Sequence, residues 1–410
     1  MSAGGEGSGK PNSLWATALL AGGATVAVAA AAWAASTYLR PNNSTPSSSA
    51  AAASASAAPT KGFAAVPIED ELSRADCVVT QVNIYPIKSC KGVSLQEREF
   101  DAFGFEYDRH WLLATQRANG QWAMTSQRQN PRLALVVPSF TETHLQVEAP
   151  GKDPLEIPLS REDEDLKQRQ EVRVWGGVYP AIDEGDEAAA WFSDYLNLGN
   201  EDGSLTEVRL FRMPQDHARL VEEEYRVEGA CNTASFADGY PFLLISEASL
   251  EELNFRIRQQ QQQNEGIEGE EGEVVLPMWR FRPNIVVRTV GERQKPFVED
   301  EWFKIQIGED ETEADDGEVF YVVKACTRCK LTTVDHERGE FAGPEPLQTL
   351  GTFRLDQQKQ PMFGQNLLQK NRRGRVRVGD RVQVLELKTD RRKKEKEEEE
   401  ETDVTSASSS

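Results

Sequence analysis

Cysteine is scarce in this chain: its 410 residues hold five, Cys77, Cys90, Cys231, Cys326 and Cys329. An odd, scattered set excludes a disulfide framework and fits a reducing compartment better than a secreted one. Positive charge is also in deficit, with 46 lysines and arginines against 67 acids and a formal net charge of −21. Such a surface repels phosphodiester backbones, which excludes nucleic acid as a partner. The excess is concentrated, however. "NEGIEGEEGE", "GEDETEADDGE" and the tail "DRRKKEKEEEEETD" hold five, seven and eight acids, the last against five bases, leaving about −6 elsewhere. These runs read as solvated loops and a tail. Internal repeats are absent too.

What is present begins with an uncharged stretch, Trp15 to Leu39, "WATALLAGGATVAVAAAAWAASTYL". As a helix it would reach ~38 Å, enough to cross a hydrocarbon core of ~30 Å. Trp15, Trp33 and Tyr38 suit interfacial positions. The run exceeds a usual signal-peptide core and is preceded by Lys10 alone, which favours an uncleaved anchor over a cleaved signal. Arg40 and Lys61 on the far side lean the body toward the cytosol. Glycosylation of the sequons at Asn42 and Asn43 would show the opposite orientation.

The remaining chain reads as mainly β with some α, an α+β class. Residues 1–14 are a short polar terminus, 15–39 the transmembrane anchor, and 40–75 a flexible Ser/Ala/Pro-rich linker. Residues 76–204 form a first β-rich domain. "CVVTQVNIYPIKS" is a strand broken at Pro86, and "RHWLLATQ", "GQWAMTSQ", "RLALVVPSF" and "HLQVEA" are short strands between turn signals. Glu187–Leu198 has helical spacing, with Ala188, Trp191, Phe192 and Tyr195 on one face. Residues 205–387 form a second β-rich domain containing "LTEVRLFRMP", the strand and helix of "FLLISEASLEELNFRI" with Ser246 as N-cap, "RFRPNIVVR", "WFKIQIG", "FYVVKACTRCKLTTVD" and "VRVGDRVQVLEL". Polar insertions at 259–275 and 309–318 and a tail at 388–410 read as disordered.

Chemistry centres on "ACTRC". One CxxC without a second pair, and with His336 lacking a neighbouring histidine, is a poor zinc site. A thioredoxin-type pair needs a helix after it, whereas "KLTTV" reads as strand. Burial as small core residues remains open. So does function, because Lys324, Arg328 and Lys330 frame the pair with charge that favours thiolate. Lys88, Ser89 and Lys91, Arg109 and Arg282 sit at strand ends or turns. There cations and backbone N–H groups can meet an anionic, phosphorylated ligand.

"VNIYPIKSCKG", "YDRHWLLAT", "SQRQNPRLALV", "PFLLISEASLEELN", "RFRPNIVV", "ACTRCKLTTVD", "PLQTLGTFR", "MFGQN" and "VRVGDRV" follow one another in that order. Together, over about 76–387, they resemble the MOSC-domain molybdenum enzymes that carry an N-terminal MOSC β-barrel, among them the mitochondrial amidoxime-reducing component. The resemblance implies two β-barrel-like domains, MOSC N-terminal and MOSC, behind the anchor. It implies a molybdenum cofactor (Mo-molybdopterin) with Cys329 as thiolate ligand to the metal and Cys326 as a packed neighbour. Lys88 and Ser89 match contacts to the cofactor phosphate. Arg109, Arg282, Asn284, Thr327, Arg328 and Asn366 match further cofactor contacts. Asp238 matches an acid beside the metal, for positioning or protonation of the departing oxygen. Gly239 and Tyr240 depart from a small hydroxylated pair in the animal enzymes and would reshape the pocket.

The activity implied is reduction of small N-hydroxylated compounds, with oxygen-atom transfer to Mo(IV). The sequence shows no motif for an intrinsic haem or flavin, so electrons would come from outside; the resemblance implies cytochrome b5 and NADH-cytochrome b5 reductase as their source. The implied location is the mitochondrial outer membrane, with the body facing the cytosol. A molybdenum-cofactor or sulfur carrier without turnover is the alternative. MOSC domains also occur behind a pyridoxal-phosphate desulfurase domain, for which this chain offers no room.

Overall fold

The computed structural model describes residues 76–160, 169–199, 206–217, 219–264, 275–291, 294–308 and 317–393. The expected anchor, the linker, most of the two acidic insertions and the end of the tail lie outside the described residues. Among those described, no helix is long and apolar enough to cross a membrane.

The strands that build the body are, in chain order, β1 (Cys77–Ile84), β2 (Val93–Leu95), β3 (Glu97–Asp101), β4 (Trp111–Gln116), β5 (Trp122–Met124), β6 (Arg169–Val174), β7 (Gly177–Asp183), β8 (Val208–Arg212), β9 (Phe242–Ser246), β10 (Ile285–Thr289), β11 (Trp302–Gly308), β12 (Glu318–Thr327), β13 (Met362–Gln369), β14 (Gly374–Arg377) and β15 (Arg381–Leu387). The helices are α1 (Asp186–Leu196), α2 (Glu247–Asn264) and α3 (Leu347–Phe353). Strands β6-β7-β8-β4-β5 close into a small barrel through the parallel β5–β6 pairing. An eight-stranded sheet, β10-β9-β13-β12-β11-β15-β1-β2, also curls round until β10 pairs with β1.

Three features of this topology cross the boundary expected near residue 204. Strand β8 lies beyond it yet closes the small barrel against β4 and β7. Strand β1 lies before it yet fills the gap between β10 and β15 in the large sheet. Strand β3 likewise pairs with β14, from near the other end of the chain.

Packing explains why β4 reads as a continuous apolar run rather than an alternating one. Leu112 and Ala114 face the small-barrel interior with Val172, Ala181 and Phe211. Trp111 and Leu113 face the other way, into a core shared with Ala188, Trp191, Phe192 and Tyr195 of α1. A strand covered on both faces loses its period of two. The large sheet encloses a separate core, in which Phe100, Phe242 and Phe320 meet edge to face at 5.3–5.8 Å. Ser246 caps α2 by accepting the Ser249 N–H at 3.2 Å.

Several local expectations are corrected. Arg132–Leu135, read as the start of a strand, lies in a 3-10 turn, Pro131–Leu135, with proline at its first position, where its missing N–H costs nothing. "KLTT" is also a 3-10 turn. The Thr332 hydroxyl donates to Cys329 O at 3.0 Å and the Thr333 hydroxyl to Lys330 O at 2.9 Å, so local bonding overrides β propensity. Met278–Phe281 forms a third 3-10 turn. The first part of the Gln-rich insertion, 259–264, continues α2. Residues 388–393 are helical rather than disordered, because Lys388 Nζ is held by Asp300 O at 3.0 Å and Gln365 Oε1 at 3.3 Å.

Candidate functional site

A cleft with about 820 Å³ of atom-free space, open solvent at its mouth included, brings together every site residue expected from the sequence. Lys88, Ser89 and Arg109 come from the first part of the chain, and Asp238, Arg282, Asn284, Thr327, Arg328, Cys329 and Asn366 from the second. Backbone strain concentrates here. Of eight non-glycine residues with positive φ among those described, Ser89 (71°), Arg109 (52°), Trp175 (53°) and Arg282 (58°) all line this cleft. Such conformations persist only where the surroundings impose them.

The broken strand at Pro86 explains the first group. Lys88 N–H donates to Trp111 O at 2.7 Å and Arg109 N–H to Tyr85 O at 2.9 Å, which folds the "YPIKS" turn against "DRHW". The Arg109 and Arg282 guanidinium groups both lie over the Tyr85 ring, at 4.3 and 4.2 Å. Asn284 is a brace: its Oδ1 accepts from Arg109 Nη1 at 3.0 Å and Leu243 N at 3.2 Å, while its Nδ2 donates to Asn83 O at 3.1 Å. Arg328, 8 % exposed, donates from Nη2 to Phe281 O at 2.7 Å and from Nη1 to Cys326 Sγ at 2.9 Å.

Charge is the main feature of the cleft. Lys88, Arg109, Arg128, Arg282 and Arg328 line it, with Asp238 as the one acid in the lining. Among the described residues, ion pairs neutralise Lys88 (with Asp238) and Arg109 (with Asp108), and none neutralises Arg128, Arg282 or Arg328. The Nε atoms of Arg128 and Arg328 are buried without a hydrogen-bond partner. Burial pulls the Arg282 guanidinium down to about 10, and the like charge of Arg109 adds to that. Burial likewise lowers Lys88 to about 8, against the upward pull of Asp238. Uncompensated buried cations with orphaned donors are the complement of a polyanion such as a phosphate.

Asp238 is ion-paired with Lys88, and its Oδ1 accepts Trp175 Nε1–H at 3.1 Å. Crowding by protein pushes its carboxyl up, but the Lys88 ammonium overrides this and holds it well below the usual carboxylate range. The side chain is still 65 % exposed to the cleft, so solvent screens the pair. Lys88 Nζ also donates to Phe236 O at 2.8 Å; the expected phosphate contact is thus engaged with the acid in this state.

The two cysteines differ. Cys326 packs against the apolar cluster of Leu243, Phe281 and Phe363, and burial pushes its thiol up. Cys329 is half-buried on the cleft wall, at the start of the "KLTT" turn. No group of three or more His, Cys, Asp or Glu side chains placed to hold a metal forms among the described residues. A metal at Cys329 would therefore draw most of its ligands from a bound cofactor. The residues fit a phosphorylated, thiolate-ligated group of that kind.

Sequence reasoning missed Ser126, Arg128 and Trp175, which also line the cleft. The first two lie in "SQRQNP", a motif that carried no assignment. Trp175 precedes two glycines, a hairpin-tip signal in "VWGGV".

Two family models match the chain: the MOSC N-terminal beta barrel domain over residues 76–198 and the MOSC domain over residues 232–383. Mitochondrial amidoxime-reducing component 1 of Mus musculus is 33% identical over 318 residues, covering 75% of this chain and 82% of that protein. Mitochondrial amidoxime reducing component 2 of Rattus norvegicus is 32% identical, covering 74% and 82%. Mitochondrial amidoxime-reducing component 1 of Homo sapiens is 30% identical, covering 75% and 82%.

Proposed function

Because the chain belongs to the MOSC family, with a MOSC N-terminal β-barrel ahead of a MOSC domain, we propose that it is an oxidoreductase that holds a molybdenum cofactor in this cleft and reduces N-hydroxylated compounds of the amidoxime type. The observation that carries the reading is the cleft itself, with five cations, one acid and a part-exposed cysteine on its wall.

Ser89, Arg109, Arg282 and Arg328 would hold the anionic end of the cofactor, with Asn284 holding Arg109 in place. Thr327 and Asn366, on the neighbouring strands β12 and β13, line the same cleft and would contribute further contacts to the group. Cys329 would supply the protein's thiolate ligand to the metal, since the thiolate is the metal-binding form of cysteine. When bound, the cofactor supplies a metal able to accept an oxygen atom and be re-reduced by two electrons. Asp238 orients the substrate's N–H groups through its ionised carboxylate. Its depressed pKa suits that role better than the alternative of a general acid, which needs a proton at working pH. Lys88 Nζ, with a pKa of about 8, is the proton-carrying member of the pair.

Electrons come from outside, from a donor of the cytochrome b5 type with its NADH-dependent reductase. We further propose, from the uncharged run at 15–39 and the mitochondrial names of the relatives, attachment to the mitochondrial outer membrane with the body facing the cytosol; protease accessibility of the body on intact mitochondria tests this.

The central experiment compares wild type with Cys329→Ala for molybdenum content and benzamidoxime reduction. We expect the substitution to abolish turnover and to lower the metal content at least tenfold. Turnover persisting in metal-free Cys329→Ala would overturn the assignment. Full loading in the wild type without reduction of any N-oxygenated compound would leave a carrier instead.

A further inference from the structure

Trp175 carries more information than its neighbours in the cleft. It is the first of the two residues, Trp175 and Gly176, that join β6 to β7, whose register ends at the Val174–Gly177 pair. Its φ is +53°, a conformation that tight hairpins usually give to glycine, asparagine or aspartate. Two glycines follow at once, yet the bulky residue takes the strained position. A bulky side chain in this region is an outlier that points to function.

The strain aims the indole. From the rim of the small barrel the ring reaches across to Asp238, to which Nε1–H donates at 3.1 Å. The Arg128 guanidinium stacks over the ring at 4.1 Å from its centroid, and Lys88 Nζ lies 5.7 Å away. Between these anchors the side chain stays 38 % exposed while lining the cleft. The open part of the ring presents a flat apolar face inside a charged cleft, beside its one acid, a shape that suits a flat apolar partner.

We infer that Trp175 is a specificity-determining residue: its indole is the wall against which a planar, conjugated N-oxygenated substrate, such as an aryl amidoxime, stacks while its N–H groups face Asp238. This rests on the proposed reductase function and goes beyond it by naming the substrate shape and the residue that selects it. Arg128 fixes the ring, and the Nε1–H bond sets its angle relative to the acid.

The test uses the full chain loaded with cofactor and two substrates that share a head group, benzamidoxime and cyclohexanecarboxamidoxime. One is flat and the other puckered. Wild type should favour the flat one in kcat/KM. Trp175→Ala should reduce that preference roughly fivefold to tenfold, chiefly through KM, the scale of one aromatic stacking pair. Trp175→Phe should retain most of it, and molybdenum content should match wild type in both. An unchanged preference in Trp175→Ala overturns the inference. So does a fall in its molybdenum content without a change in preference, which would make the indole a cofactor wall.

A second measurement does not depend on turnover. Protein labelled with 5-fluorotryptophan gives a fluorine resonance for Trp175, assigned by its loss in Trp175→Phe. Benzamidine should shift it, and cyclohexanecarboxamidine should not. If wild type reduces neither amidoxime, the functional reading fails, and this shift alone decides the role of Trp175. No selective shift would reject it.

Discussion

At the scale of single residues, the Lys88–Asp238 pair sets how the site responds to pH. Lys88 titrates near 8 instead of 10.5 because burial penalises its ammonium, only partly offset by Asp238. The folded pKa lies below the unfolded one, so the charged lysine is a cost to the fold that is full below pH 8 and fades toward 10.5. Function runs the opposite way, since the proposed site needs the ammonium. Activity should therefore fall as pH rises through about 8, and Lys88→Arg should flatten that limb over pH 7–9.5, because a guanidinium keeps its charge. A pH–rate profile of the two proteins decides it; an identical alkaline limb in both would remove Lys88 from the mechanism.

At the scale of elements, two glycines with opposite surroundings separate strain from open space. Gly364, in β13, has a φ of +82°, and a Cβ there would sit 2.6 Å from Ile245 Cγ1 and 3.0 Å from Leu244 O. Gly364→Ala combines a left-handed backbone with overpacking and should cost about 2–4 kcal/mol. It should also lower cofactor retention, because Asn366 follows two residues later on the same strand. Gly351, in α3, meets nothing within 4 Å, and Gly351→Ala should stabilise by about 0.5–1 kcal/mol. Urea midpoints that failed to move in opposite directions would refute this account of the two positions.

Elements also show where sequence reading succeeds. Strands with alternation or β-branched runs, such as β11 and β15, were legible, as were α1 with its apolar face and the Ser246 cap. Short segments were not legible where a hydroxyl, a proline or a tertiary anchor outweighed propensity. "KLTT" is bent by its threonine hydroxyls, "PRLAL" by its leading proline, and 388–393 is ordered by the hold on Lys388. The lining of the cleft was legible at positions where cations sit at strand ends, and more fully through motif order. Trp175 was not, because nothing in "VWGGV" says that the hairpin tip reaches a residue 63 positions further along.

At the scale of the whole molecule, the chain ties its two halves together before it builds the site. β1 precedes the small barrel in sequence but pairs with β2, β10 and β15 in the large sheet. β8 follows the expected boundary but closes the small barrel. Removing residues up to 204 would thus open the large sheet between β10 and β15, exposing two unpaired edges and the core that Val79, Val82 and Ile84 complete. It would also strip Lys88, Ser89, Arg109, Arg128 and Trp175 from the cleft. Open edges over an exposed core favour aggregation rather than an independent fold. We therefore expect residues 205–393 expressed alone to be aggregated or unfolded, and residues 76–393 to unfold in one cooperative step with both near- and far-ultraviolet signals coincident. A well-dispersed amide spectrum from residues 205–393 would show instead that the second half folds unaided, and that the crossing strands are not what holds the cleft together.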